Sequence, residues 1–116
     1  FLHCDRSIAF GNPSNDIRGM DRAVICGNLI VGGANKAIEC DWTRNVEIFN
    51  NIIFTMFPDY PHTVNILNCE EGNVFHNNIV HGNLDVDLKR AMFDNFVGLY
   101  DGLCADPAKG DLSLTE

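Results

Sequence analysis

Long apolar runs are missing from this sequence. No stretch approaches the ~20 apolar residues that a membrane-spanning helix needs, and no charged-then-apolar leader stands at the N terminus. Basic charge is also scarce: 8 Lys and Arg face 16 Asp and Glu, for a net charge of −8. A surface that tracks a phosphate backbone is basic, so neither nucleic acid nor an anionic membrane is expected as a partner. An acidic surface suits neutral sugars, bound cations or solubility alone. Cys-x-x-Cys and Cys-x-x-His spacings are absent, which argues against a structural zinc site, and no metal ligands are assigned. Gly32-Gly33 lacks the following Lys-Ser/Thr of a phosphate loop. Ser7, Thr43 and Thr63 have no His/Asp partner at a recognisable spacing, so a serine hydrolase is unsupported. Apolar residues at helical spacing are rare too, and Asp85 to Phe96 is the single plausible helical window.

What is present is a globular composition, 46% hydrophobic and 21% charged over 116 residues, which suits one domain. Five cysteines (Cys4, Cys26, Cys40, Cys69, Cys104) leave at least one thiol unpaired. Small apolar filler is the plain reading of these residues, and disulfides are the alternative. The chain opens at Phe1 without an initiator Met, as expected of a processed chain or a fragment.

An internal repeat is the main signal. Four segments align on one asparagine: Val24 to Ile30 on Asn28, Glu47 to Ile53 on Asn51, Val74 to Val80 on Asn78, and Ala91 to Val97 on Asn95. The asparagines lie 23, 27 and 17 residues apart. A fixed local motif at variable spacing implies a constant turn and elastic loops. Asn, Asp and Gly tolerate a left-handed backbone at a corner, and stacked Asn side chains can bond from one coil to the next. A hairpin is the rival, since Asn-Asn also makes tight turns. The segments after Asn51 and Asn78 are short and then break into loops, which favours a bend in a solenoid.

A second strand family precedes each motif, at Ser7 to Phe10, Ala37 to Cys40, Val64 to Leu67 and Leu84 to Leu88. Ile8, Ile38, Ile66 and Val86 are expected to stack as one inward column. Ala9, Glu39, Asn65, Asp85 and Asp87 then point outward. Pro58 and Pro61 fall in the Thr55 to His62 loop, where they cost no ladder bonds. The expected fold is all-β, a right-handed parallel β-helix of about four coils with an Asn-containing corner, with coils over residues 1–103 and a tail over 104–116.

Ser7-Ile8-Ala9-Phe10-Gly11, Asn45 to Phe54 and Gly72 to Gly82 resemble the right-handed parallel β-helix (pectate-lyase-like) superfamily, in particular its secreted bacterial repeat proteins. The tail Cys104-Ala105-Asp106-Pro107-Ala108-Lys109-Gly110-Asp111-Leu112 is similar to the segment that often follows the last coil in such proteins. The resemblance implies export to the periplasm, the cell surface or the medium. It also implies one of several roles: polysaccharide lyase, glycoside hydrolase, sugar epimerase or surface adhesin. No catalytic signature of any one of these groups is present. Complete members have more coils and a cap at each end. The chain is therefore expected to be the C-terminal part of a longer protein, or to stack on another chain.

In that superfamily the substrate face is the first strand and the turn after it. Here it would carry Glu39 and Asp85 about 10 Å apart, two strand spacings, near the upper end of the separation used by inverting glycosidases. These two carboxylates, with Arg18 as a clamp for a uronate carboxylate, are the candidate catalytic set. Asn65, Asp41, His62 and Trp42 are the candidate substrate contacts. His62 would be a base near Glu39, and Trp42 an apolar platform for a sugar ring. The acids could instead hold Ca²⁺ or form a solvated face. The Asn15 to Arg22 turn could equally be closed by its own ion pairs. His76 and His81 read as surface residues. Two functions stay open: an exported carbohydrate-binding or carbohydrate-active β-helix, and a structural or adhesive solenoid without chemistry.

Overall fold

A computed structural model describes residues 1–11, 14, 19–88, 91–99, 102 and 104–115. The protein is all-β, with no α-helix among the described residues. Thirteen strands fall into three parallel sheets that the chain visits in rotation. The first sheet is β1 (Leu2–Cys4), β4 (Leu29–Gly32), β7 (Ile52–Thr55), β10 (Ile79–His81) and β13 (Phe96–Gly98). The second is β2 (Ile8–Phe10), β5 (Ile38–Asp41), β8 (Val64–Leu67) and β11 (Leu84–Val86). The third is β3 (Met20–Cys26), β6 (Thr43–Phe49), β9 (Val74–His76) and β12 (Met92–Phe93). From β4 onward each of these strands pairs with the one three before it. The crossover that a parallel pair requires is therefore supplied by strands of the other two sheets.

Alternation along each strand sends one set of side chains inward. Ile30, Ile53 and Val80 line the first sheet's inner face, and each is fully buried. On the second sheet, Ile8, Ile38, Val64 and Leu84 share one column, and Phe10, Cys40, Ile66 and Val86 the next. The expected column of Ile8, Ile38, Ile66 and Val86 therefore mixes two neighbouring columns. A slip of two residues keeps every side chain on its face, so alternation alone could not detect it. Ile25, Ile48 and Phe75 close the core from the third sheet. Full burial of each such side chain stabilises by roughly 1.5–3 kcal/mol.

The corner between the third and first sheets is built by the four aligned asparagines. Asn28 Nδ2 donates to Asn51 Oδ1 at 2.9 Å, Asn51 Nδ2 to Asn78 Oδ1 at 2.9 Å, and Asn78 Nδ2 to Asn95 Oδ1 at 3.0 Å. The same oxygens accept the backbone N–H of Asn28, Asn51 and Asn78 at 3.0–3.1 Å. Each amide also donates to the carbonyl two residues back, as Asn51 does to Phe49 and Asn78 to His76. The left-handed residue is the one before each asparagine: Gly27, Asn50, Asn77 and Asp94, with φ between 54° and 65°. Two adjacent residues thus divide the corner's work. One supplies the backbone bend, and the other satisfies polar groups that the bend would leave buried. Asp85 to Phe96, the helical window, holds parts of β11, β12 and β13.

Residues 104–114 leave the stack. β14 (Cys104–Asp106) and β15 (Asp111–Leu114) pair antiparallel through a 3₁₀ turn at Pro107–Lys109 and a left-handed Gly110. Cys104 and Leu112 pack on Val31 and Phe54 on the outer face of the first sheet, and all four are buried. The hairpin also reaches β1, where His3 Nε2 lies 2.7 Å from the Ala108 carbonyl oxygen.

Candidate functional site

The outer face of the second sheet carries the candidate residues in register. Ala9, Glu39, Asn65 and Asp85 oppose one another from β2 to β11. A second column lies two residues before the inward one, where Arg6, Lys36 and His62 precede Ile8, Ile38 and Val64. The two columns meet side chain to side chain. Glu39 is clamped by Lys36 Nζ at 2.6 Å and Arg6 at 3.2 Å, and its side chain is 1% exposed. Asp85 Oδ2 lies 2.8 Å from His62 Nδ1, with the two side chains 37% and 39% exposed.

The expected pairing of His62 with Glu39 is therefore replaced by one with Asp85. Strand register sets this outcome, since His62, two residues before β8, faces Asp85 on the neighbouring strand β11. The order along the sheet places Asn65, 4% exposed, between Glu39 and Asp85. Glu39 is neutralised and sealed, whereas Asp85 and His62 remain open to solvent.

Asp41 lies on the same side of β5 as Glu39 and is fully buried. Burial, then the nearby Glu39, pushes its carboxyl above the usual aspartate range. Asn68 Nδ2 sits 3.5 Å from its Oδ1. Trp42 follows in a left-handed backbone (φ 54°). Gly11 and Asn68 take the same conformation after β2 and β8. The Trp42 ring is half-buried rather than displayed, with its indole N–H closed off from solvent. Arg18 lies outside the described residues.

Tyr60 completes the open end of the face. Its ring meets His62 edge-on at 5.6 Å, and its hydroxyl donates to Asn35 Oδ1 at 3.0 Å. Asn83 Nδ2 donates to the carbonyls of Pro58 and Tyr60 at 2.9 Å, which fixes the proline-bearing loop above β11. Lys36, Arg6, Tyr60 and Asn35 were not legible as site residues. The one available sign was that Arg6, Lys36 and His62 recur two positions before each inward residue.

The two remaining histidines are not bare surface groups. His76 is stacked between Phe49 (5.3 Å) and Phe93 (5.0 Å) and contacts Glu47 at 3.0 Å. His81 is 7% exposed and stacked on Phe54 at 4.2 Å. In-register stacking of rings along a parallel sheet accounts for both.

A separate cleft of about 330 Å³ opens at the turns joining the second and third sheets, lined by Cys69, Glu70, Glu71, Asn73, Asp87 and Leu88 among others. Among the described residues no three of His, Cys, Asp and Glu are grouped so as to hold a metal ion. Cys40 lies in the core, and burial followed by nearby Cys69, Asp41 and Glu39 pushes its thiol up to about 12. Such a thiol is inert at neutral pH. No protein-family model, curated protein or solved structure matches this chain.

Proposed function

We propose that the chain forms about four coils of a right-handed parallel β-helix of the pectate-lyase-like kind, and that it is an exported glycan-binding solenoid. The rotation of the chain through three parallel sheets and the continuous asparagine corner support the fold reading. The functional reading rests on one observation: of the two carboxylates in register on the outer second-sheet face, only that of Asp85, beside His62, is open to solvent.

An exposed imidazole and carboxylate beside an aromatic ring offer what a sugar needs: donors and acceptors for hydroxyls, and an apolar edge for ring C–H groups. Glu39 has no such role in this reading. It holds Lys36 and Arg6 in place, and Asn65 lies in register between Glu39 and Asp85. If the face also turns substrate over, His62 and Asp85 are the pair within proton-transfer distance. A Glu39/Asp85 carboxylate pair does not serve, because Glu39 cannot reach a glycosidic oxygen.

The second reading, a structural or adhesive solenoid without chemistry, draws on the burial of Glu39 and Asp41, which removes two of the three acids from any substrate. Affinity electrophoresis and calorimetry against neutral and acidic polysaccharides separate the two. The binding reading expects retardation by at least one glycan. Asp85→Asn together with His62→Gln should then weaken binding about ten-fold, or about 1.4 kcal/mol. No retardation by any glycan, or unchanged affinity in the double variant, overturns it in favour of the structural solenoid.

A further inference from the structure

We infer that the open end of the outer second-sheet face takes a neutral oligosaccharide. Sugar hydroxyls meet His62 and Asp85, and the C–H face of a further ring lies on Phe57. The inference rests on the glycan-binding reading and narrows it to a charge class and a chain length.

A turn that the face itself holds in place forms the wall of this site. Tyr60 donates its backbone N–H to the Phe57 carbonyl at 3.0 Å, which closes residues 57–60. The Phe57 N–H donates to Thr55 Oγ1 at 3.0 Å, and Thr55 is buried at the end of β7. Asn83 Nδ2 donates to the Pro58 and Tyr60 carbonyls. Asn83 and Asp85 lie on the same side of the chain, with Leu84 packed into the core between them. The anchor of the turn is therefore roughly 7 Å along the strand from Asp85.

On this tied backbone Met56 and Phe57 are 40% and 46% exposed. A backbone fixed at three points keeps Phe57 displayed and does not let it fold back onto the surface. Covering its ring with a ligand releases water and costs little further loss of backbone freedom. Phe57 and Tyr60 are the two ends of a four-residue turn, under about 7 Å apart at Cα. The Tyr60 ring lies between the turn and His62. A single sugar at His62 and Asp85 does not reach Phe57, whereas a chain does.

Charge selects the class of glycan. Asp85 is joined by exposed Asp87, two residues on, and by exposed Asp59 in the anchored turn. The other cations described on this face, Lys36 and Arg6, are both engaged by Glu39. A uronate or sulfated chain brings its charges against three carboxylates, and like charges reject a partner. Neutral hydroxyls donate to the carboxylate and bond the imidazole without that penalty.

The test is calorimetry on the 116-residue chain. The neutral probes are cellohexaose, laminarihexaose, xylohexaose and mannohexaose with their monosaccharides, and hexagalacturonate is the acidic one. At least one neutral hexasaccharide should bind more tightly than both its monosaccharide and hexagalacturonate. Phe57→Ala should narrow the ratio of hexasaccharide to monosaccharide affinity about ten-fold. A ratio within one variant is insensitive to the fraction folded. Asp59→Asn with Asp87→Asn should raise the affinity for hexagalacturonate. Hexagalacturonate binding tighter than every neutral chain overturns the inference and leaves the glycan-binding reading standing. So does a ratio that Phe57→Ala leaves alone, or an acidic affinity that the double variant does not raise. Binding of none of these sugars also overturns the inference, and the broader reading falls with it only if every polysaccharide fails to retard the protein as well.

Discussion

Replacing Asn78 with alanine deletes one of the two fully connected rungs of the asparagine corner. Its Oδ1 accepts from the N–H and Nδ2 of Asn51, and its Nδ2 donates to the Ile48 and His76 carbonyls and to Asn95 Oδ1. Alanine leaves the Asn51 N–H and the Ile48 carbonyl without these partners at residues only 1% exposed. Each orphaned buried group costs about 1–3 kcal/mol, so the expected loss is about 2–6 kcal/mol, a large share of a typical ~5–15 kcal/mol stability. Asn28→Ala at the end of the same ladder is different. Its Oδ1 accepts from no described residue, and Asn51 Oδ1 retains the Asn28 backbone N–H, so the loss should stay near 1 kcal/mol. Asn95→Ala falls between, because the bonds it removes from the Asn78 N–H and the Phe75 carbonyl are only part-buried. Urea unfolding gives the comparison, as a fall in midpoint at constant slope. If the asparagines served only to bend the backbone, the three substitutions would cost alike. Equal losses at Asn28 and Asn78, or less than about 1 kcal/mol at Asn78, would refute the reasoning.

Three further outcomes follow from the outer face and the thiols. Glu39→Ala leaves Lys36 and half-exposed Arg6 without their shared carboxylate and should cost about 1–3 kcal/mol in urea unfolding; a loss below about 1 kcal/mol would show the clamp to be a surface pair. The Asp41 carboxyl is held above its unfolded range, so its ionisation opposes folding at neutral pH, and that opposition fades as pH falls through the folded value. Asp41→Asn should accordingly raise Tm at pH 7 and reduce the gain in Tm that wild type shows on mild acidification; an unchanged pH profile would count against it. In thiol labelling of the native protein at pH 8, exposed Cys26 should react first and Cys40 only on unfolding; early labelling of Cys40 would contradict its place in the core.

Much of the fold was legible because its signals are local. Val24 to Ile30 and its three counterparts carry the apolar alternation, the left-handed residue and the following asparagine within seven positions. The candidate site was less legible. Whether Glu39 meets Lys36 or His62 depends on which strands neighbour one another and in what register. The inward column showed the same limit, since a two-residue slip preserves every inward and outward assignment.

The sequence by itself determined that the chain is built of parallel β-strands turning at Asn28, Asn51, Asn78 and Asn95, because backbone chirality and side-chain alternation act over a few residues. Only the tertiary structure decided which polar residues reach solvent. Glu39 and Asp41 look outward by pattern yet are sealed, Glu39 beneath Lys36 and Arg6, while Asp85 stays open beside His62. Accessibility is a property of what packs above a residue. Those neighbours come from other strands and from loops whose lengths the repeat does not fix.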